Sequence, residues 1–318
     1  MVRGSKILTV VTCSAAMLAA CGKAPNTAQV DTAVNAQKLA ASADHTTQAG
    51  SAKVDLTMTL GSGAAGSTTL TGHGAYDGKQ RRSSIVLDLG PAVAAATNGS
   101  KGTAAAASGA SEEVRTIGDV GYVRVSAPAG TTAFGDTWIK IDAEQMRAMG
   151  GIGGLGGVSF GGDPSTVLGY LKGAGADVTT VGHEQVGGVD TTHARARISM
   201  GQALDAAGRD RDKLRESLAA APGLDADAFE KLTMPVDVYL DADGYVRRLA
   251  IALDLTAAMD KANDGSRATS SIAMTVDYHD FGVPVSVEEP PADQTQNICD
   301  ALANVPASRR AALPPGVC

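Results

Sequence analysis

The sequence predicts an α+β fold in which a large antiparallel sheet is accompanied by a few short helices. Two observations support this prediction. Apolar and polar residues alternate with a period of two through most of the chain, as in Val54 to Leu60, and such alternation is typical of antiparallel strands with one buried face. Helical periodicity, in contrast, is confined to short segments that begin at capping residues.

The N-terminus has the features of a bacterial lipoprotein signal. Arg3 and Lys6 precede an apolar stretch of about a dozen residues, which has the length of a signal-peptide core. The residues Leu-Ala-Ala-Cys at 18–21 follow and resemble the lipobox of bacterial lipoproteins. This resemblance implies that residues 1–20 are removed and that Cys21 is acylated and becomes the first residue. An ordinary secretory signal with a chance cysteine is the alternative.

The acyl groups on Cys21 are expected to provide the membrane attachment. No other run approaches the roughly 18 apolar residues that a transmembrane helix needs. Removal of the signal peptide takes the net charge from −7 to −9, and an acidic chain is not attracted to an anionic membrane surface. Two or more acyl chains hold a protein stably. We therefore predict a lipid-anchored protein at the extracytoplasmic face of the bacterial cell membrane, with residues 21–30 as the acylated tether.

A helix is expected over residues 31–45, and strands dominate the chain after it. The residues from Asp241 to Gly244 are typical of a hairpin loop between two of the strands. The predicted strands cover residues 51–60, 67–77, 81–89, 113–117, 121–126, 138–141, 191–200, 235–240, 245–255 and 271–281.

Four further helices are predicted from capping signals and helical spacing. Asp142, with Gln145 at the capping-box position, begins one helix, and Asp163 followed by proline begins the next. Two stretches rich in glycine, alanine and serine, 91–111 and 150–162, are expected to be flexible loops. The four helices are placed at residues 143–149, 164–173, 204–221 and 225–232.

The chain contains four cysteines. Cys13 leaves with the signal peptide, and Cys21 is acylated. Cys299 and Cys318 remain in an oxidising compartment, so we predict a disulfide between them. It would fix a C-terminal extension, residues 292–318; a metal site is the alternative, but this extension lacks further ligands.

Composition argues against nucleic-acid binding. The net charge of −7 gives no basic excess to neutralise phosphates. The 4 Phe, 1 Trp and 6 Tyr leave few rings for stacking on bases or sugars. No nucleic-acid partner is therefore predicted.

Motifs for cofactors, metals and catalysis are weak. Residues 151–156 fit the pattern G-x-G-x-x-G, but they follow a predicted helix, whereas a dinucleotide site requires a preceding strand. The five histidines lack zinc-ligand spacing, and His193 and His279 are expected on solvated strand faces. No G-x-S-x-G motif is present. We predict no cofactor, no metal and no enzymatic activity.

Several features occur in an order that matches a known family. They are the lipobox, the first helix, the strand from Val54 to Leu60, Trp138–Ile141 before a glycine-rich loop, Asp163-Pro164, the turn at 186–189, Met234–Leu240 and Tyr278–Gly282. In this order the chain resembles the LppX/LprG-type lipoproteins of actinobacteria, over roughly residues 31–291.

The resemblance implies a LolA-like fold, a strongly bent antiparallel half-barrel with helices packed on its concave face. It implies a monomeric carrier that binds acylated lipid or glycolipid in an apolar cavity and moves it within the cell envelope. Cys21 corresponds to the anchor of that family. Residues 31–291 would form the lipid-binding domain.

Strand parity selects the residues that would line such a cavity. Each buried methylene contributes about 0.8 kcal/mol, so two long acyl chains give ample driving force. The alternative is a structural or signalling envelope lipoprotein with a filled interior that binds a protein partner; a hydrolase ranks last. The eight candidate lipid-binding residues are Leu56, Met58, Ile85, Leu87, Val123, Ile139, Ile251 and Leu253.

Overall fold

Twelve strands form one open sheet, in the order β12-β6-β5-β4-β3-β2-β1-β11-β10-β9-β8-β7. Every neighbouring pair is antiparallel except β12 and β6, which are parallel. The predicted fold class, an α+β protein with a large antiparallel sheet and few helices, is confirmed. The strands are β1 Ser51–Ser62, β2 Ser67–Asp77, β3 Arg82–Asp88, β4 Ser111–Ile117, β5 Val120–Ser126, β6 Trp138–Ile141, β7 Val178–Val186, β8 Val189–Ser199, β9 Thr233–Asp241, β10 Val246–Asp254, β11 Ser270–His279 and β12 Thr295–Asn297.

The computed structural model describes residues 33–62, 66–96, 109–127, 136–142, 145, 168–169, 171, 177–206, 211–220, 224–259, 270–303 and 318. The predicted signal peptide, the tether, the anchor Cys21 and the loop 150–162 lie outside the described residues. The helices among the described residues are α1 Ala36–Gln48, α2 Gly90–Ala96, α3 Met200–Ala206, α4 Arg211–Ala220, α5 Ala226–Glu230 and α6 Ile298–Ala303.

Helix α1 covers one face of the sheet. It begins at Ala36 because the side chain of Asn35 accepts a hydrogen bond from the Lys38 amide, 2.8 Å away. Leu39 and Ala43 are fully buried and join the main apolar cluster of the sheet. We call the face that carries this cluster the inner face, and the opposite face the outer face.

The predicted capping signals hold where the structure describes them. The backbone amide of Gln145 donates to the Asp142 carboxylate, and the Asp142 amide donates to the Gln145 side chain, at 2.8 and 2.9 Å. Asp225 caps α5 through the Ala228 amide. Leu168 and Leu171, from the predicted helix 164–173, are buried in the main cluster.

Some elements differ from the prediction. The start of the predicted loop 91–111 is helical in α2, since a run of alanines favours a helix. The helix predicted over 204–221 is represented by two helices, α3 and α4. Strand β7 was not among the listed strands, although the resemblance included a hairpin-like stretch at 182–200 with its turn at 186–189. It pairs with β8 through that turn, where Gly187 and Gly188 both have positive φ.

A connecting segment, residues 283–291, crosses the outer face between β11 at the centre of the sheet and β12 at its edge. Its backbone carbonyls accept hydrogen bonds from Ser51, Arg82 and Arg115 at 2.5–2.9 Å. The hydroxyl of the buried Tyr122 donates to the carboxylate of Glu289. The segment therefore makes hydrogen bonds to β1, β3, β4 and β5.

The C-terminal residues complete the sheet at its β6 edge. Strand β12 pairs with β6, and α6 packs Ile298 and Leu302 on Ile139 and Ile141. The predicted disulfide between Cys299 and Cys318 is confirmed. Residues 295–303, which the sequence assigned to an extension, thus contribute a strand and a helix to the fold.

The disulfide should stabilise this edge. Replacing both Cys299 and Cys318 by serine should lower the free energy of unfolding by about 3 kcal/mol, because the bond closes a loop with a sequence separation of 19 in the unfolded chain. Urea unfolding of a soluble form that begins at Gly22 measures this loss. The reduced wild type is the control and should match the double variant. Equal midpoints for the oxidised wild type and the double variant would contradict the prediction.

The hydrogen bond between Tyr122 and Glu289 should hold the connecting segment. Burial, and then the hydrogen bond to Glu289, raise the pKa of Tyr122 to about 12, so the hydroxyl stays protonated at neutral pH. We expect Tyr122→Phe to lower the free energy of unfolding by about 1–2 kcal/mol. Glu289→Gln keeps an oxygen that can accept the hydrogen bond from Tyr122, so its free energy of unfolding should fall less. Denaturant titrations test this, and an unchanged Tyr122→Phe midpoint would refute it.

Candidate functional site

All eight candidate residues from the sequence lie on the inner face. In antiparallel strands, residues that lie directly opposite each other point to the same face, and so do residues two apart in one strand. Gly72 lies opposite both Leu56 and Leu87, and Met274 lies opposite both Met58 and Ile251. A third row of opposite residues runs from Ile85 through Val114 and Val123 to Ile139. Leu253 follows Ile251 by two positions in the same strand.

Two glycines of β2 make room on this face for the side chains of β3. A Cβ atom at Gly72 would lie 2.6 Å from a methyl carbon of Leu87. One at Gly74 would lie 2.2 Å from the carbonyl oxygen of Ser84. The leucine and isoleucine side chains of β3 therefore pack close to the β2 backbone.

The candidate residues differ in how far they are covered. Val123 and Leu253 are half-buried. The other candidates are buried by the protein's own packing, and we find no sequence signal that separates them from the two half-buried residues. The buried candidates are Leu56, Met58, Ile85, Leu87, Ile139 and Ile251.

The apolar packing on the inner face is divided into clusters. The main cluster extends from β8 to β3, and a second joins β6 to α6. Between them, the inner-face residues of β4 and the end of β5 are half-buried. We call this region the β4–β5 strip; its residues are Glu112, Val114, Thr116, Val123 and Val125.

Glu112 is the unusual member of the strip. In the nine neighbouring strands β6-β5-β4-β3-β2-β1-β11-β10-β9, cross-strand pairing shows which described residues face inward. Glu112 is the only charged residue among them. It lies opposite Leu87 and Val125. It makes no hydrogen bond or ion pair with the residues that the structure describes. Burial raises the pKa of Glu112 above its ordinary value.

The neighbouring Glu113 shows what a paired carboxylate looks like in the same strand. It points to the outer face, where its oxygens lie 2.7 Å from a nitrogen of Arg115 and 2.8 Å from one of Arg124. The two guanidinium groups also lie over the ring of the buried Trp138, at 4.5 and 4.6 Å. The arginines nearest in the sheet are therefore already engaged on the face opposite Glu112.

The sequence prediction missed Glu112 because its strand began two residues too late, at Glu113. The observed strand begins at Ser111. The alternation with Val114 and Thr116 was the signal that would have placed Glu112 on the inner face.

His193 also differs from the prediction, which placed it on a solvated face. Only 5% of the residue is exposed. Its Nδ1 lies 3.0 Å from Glu184 and its Nε2 2.7 Å from Asp237, while its ring stacks on Tyr239. Side chains of β7 and β9 therefore cover it. His279 remains partly exposed beside Asp55, with 3.3 Å between them.

Two surface depressions are lined by described residues. One of about 480 Å³ lies between α4 and α5 and carries Arg215, Glu216 and Asp227. Another of about 430 Å³ includes Asp55, His73 and Leu87. Leu87 is the only candidate lipid-binding residue that lines either of them. Neither depression is the aliphatic cavity that the resemblance implies.

Within the described residues, no three histidine, cysteine or carboxylate side chains are grouped as metal ligands. In that same part of the chain, none of the helices combines the length and apolar character required to cross a bilayer.

Comparison with family models gives no match, and comparison with curated proteins gives none either. Among solved structures, the lipoprotein LppX of Mycobacterium tuberculosis is 14% identical over 79% of this chain and 99% of that one, with a TM-score of 0.40. LprF of Mycobacterium bovis is 12% identical over 81% and 97%, with a TM-score of 0.37. A LolA superfamily protein of Nitrosomonas europaea is 10% identical over 82% and 96%, with a TM-score of 0.25.

The structures that the chain matches thus include LppX and a LolA superfamily protein, which belong to the group that the sequence resembles. Because identities and TM-scores are low, no residue role is transferred from these proteins. The site rests on the chain's own residues, an aliphatic inner face with a half-buried strip that contains one carboxyl group.

Glu112 should reduce stability at neutral pH. A raised pKa in the folded state means that the wild type loses stability, relative to Glu112→Gln, as the pH rises from the ordinary value of 4.5 through the raised value. Above that range the variant should be the more stable protein by a constant amount.

Urea unfolding of both proteins across this pH range tests the prediction. Glu288→Gln, a matched change at an exposed side chain of the connecting segment, is the control. A difference between wild type and Glu112→Gln that does not vary with pH would show that Glu112 is not responsible.

Proposed function

We propose that this protein is a membrane-anchored lipoprotein that binds an acylated lipid or glycolipid and carries it within the cell envelope. The observation that supports the proposal is the inner face, which is aliphatic across nine neighbouring strands apart from Glu112 and a few small or hydroxyl residues. The β4–β5 strip leaves part of this face incompletely covered by the protein itself.

The chemistry of the strip suits an acyl chain. Val114, Val123 and Val125 present branched apolar side chains in adjacent strands. An acyl chain laid on them loses contact with water at about 0.8 kcal/mol per methylene. Non-directional contacts of this kind accept chains of different length. The binding step therefore needs no catalytic group and no cofactor.

The anchor belongs to this proposal. Acylation at Cys21 would hold the chain at the extracytoplasmic face of the membrane, within reach of membrane lipids. A monomer is sufficient for this activity, because all the residues of the strip come from one chain. The acidic surface is unsuited to nucleic acid.

A second candidate is an envelope lipoprotein that binds a protein partner and carries no lipid. One observation favours it: most of the candidate lipid-binding residues are already buried. In this case the inner face is an ordinary core, and the partner is bound elsewhere.

Native mass spectrometry distinguishes the two candidates. A soluble form that begins at Gly22, purified from its own genus, should carry an adduct of lipid mass that organic extraction removes and identifies. Val123→Asp places a charge in the strip and should reduce the adduct at least about tenfold, since burying an unpaired charge is strongly unfavourable.

The control is Val181→Asp, at an exposed valine of β7 outside the strip, which should keep the adduct. A wild type that remains free of lipid after incubation with diacyl lipids would favour the protein-binding candidate. Equal amounts of the lipid adduct in Val123→Asp and Val181→Asp would show that the lipid binds outside the strip.

A further inference from the structure

Glu112 is the feature of the inner face that apolar packing does not explain. Aliphatic residues surround it in the same cross-strand row, with Leu87 on one side and Val125 on the other. Among the described residues it has no partner, although Glu113 beside it has two arginines within 2.8 Å. A half-buried carboxyl group without a partner is unfavourable unless another molecule supplies one.

We propose that Glu112 binds the polar head of the lipid, and that it selects an uncharged head with hydroxyl groups over an anionic phosphate head. This inference rests on the proposed function. It adds the residue that contacts the lipid head and the kind of head that this residue favours. The acyl chains would lie on the valines of the strip, and the head would lie at Glu112.

The charge distribution of the inner face supports this selection. A carboxylate accepts hydrogen bonds from hydroxyl groups, and such charge-assisted hydrogen bonds are stronger than neutral ones. A phosphate at the same position would meet a like charge in surroundings of low dielectric constant, where repulsion is strong.

The described strands around Glu112 supply no cation to compensate for that repulsion. In the nine neighbouring strands that run from β6 to β9 in the sheet order, cross-strand pairing places no described lysine or arginine on the inner face. Arg115 and Arg124 belong to β4 and β5 but bind Glu113 on the outer face. An anionic head would therefore meet repulsion at Glu112 without an ion pair from the inner face of these described strands.

Two lipids that differ only in their heads test the proposal. Dioleoylglycerol presents a hydroxyl group, and dioleoylphosphatidic acid presents a phosphate on the same acyl chains. The full chain, released from membranes with detergent, is offered both lipids in equal amounts in mixed micelles. Native mass spectrometry, with collisional removal of detergent, then gives the ratio of the two bound lipids.

We expect the wild type to bind dioleoylglycerol in preference. Glu112→Gln has nearly the same shape without the charge and should reduce the preference about tenfold, the size of one charge-assisted hydrogen bond. Glu112→Asp keeps the carboxylate and should retain the preference. Glu288→Gln, the same change at an exposed position outside the strip, should match the wild type. Circular dichroism establishes that each variant is folded.

The outcomes separate this inference from the proposed function. If the wild type binds both lipids equally, or if Glu112→Gln keeps the wild-type ratio, the role of Glu112 is wrong while lipid binding stands. If Glu112→Asp loses the preference while Glu112→Gln keeps it, side-chain length sets the preference and the charge does not, which also overturns the inference. If neither lipid is bound by any of the proteins, the proposed function itself fails.

Discussion

The pairing of β1 with β11 is the contact on which the sheet depends. Strands β1 to β6 follow one another as neighbours, and so do β7 to β11, so each half is built from antiparallel pairs close in sequence. Among the described strands, the pairing from Lys53–His279 to Ser62–Ser270 is the one that joins the two halves of the sheet. This pairing closes more than 200 residues of chain, and its loop-closure entropy is offset by apolar pairs such as Leu56–Val276. A slip of one residue would turn the apolar side chains of β1 to the outer face.

The two faces of the sheet differ in their polar contacts. Because β11 lies at the centre of the sheet and β12 at its edge, the chain has to cross one face to reach β12. It crosses the outer face, where backbone carbonyls of the connecting segment accept hydrogen bonds from arginines. Other side chains of the outer face form ion pairs. For example, Nε and Nη2 of Arg248 donate to the two carboxylate oxygens of Asp277, at 2.5 and 2.6 Å. Charges are therefore solvated or paired on that side, while the inner face remains aliphatic.

Sequence periodicity predicted ten of the twelve described strands and the face of the eight candidate residues, because both follow from a local repeat of two. It did not predict which inner-face residues are covered, since that depends on helices packed from distant parts of the chain. Leu56 and Val123 have the same parity signal, yet the first is buried in the main cluster and the second is half-buried. Periodicity did not list β7 because a bulge between Thr180 and Gly182 interrupts its alternation, although its turn at 186–189 was expected from the resemblance. Strand β12 has three residues, too few for a periodic signal.

Glu112 and Glu113 are the same residue type in adjacent positions, and the difference between them is the clearest sign of where function lies. Glu113 is stabilised by two arginines, so the fold alone accounts for it. Glu112 is expected to weaken the fold at neutral pH, since its neighbours on the inner face are aliphatic and burial raises its pKa. Departures from local consistency are expected where a protein serves a ligand and not its own packing. The half-buried strip around Glu112 is the part of the inner face that the protein's own packing leaves incompletely covered. The unfavourable charge and the incomplete cover therefore coincide at one place, and a bound lipid with a hydrogen-bonding head would satisfy both.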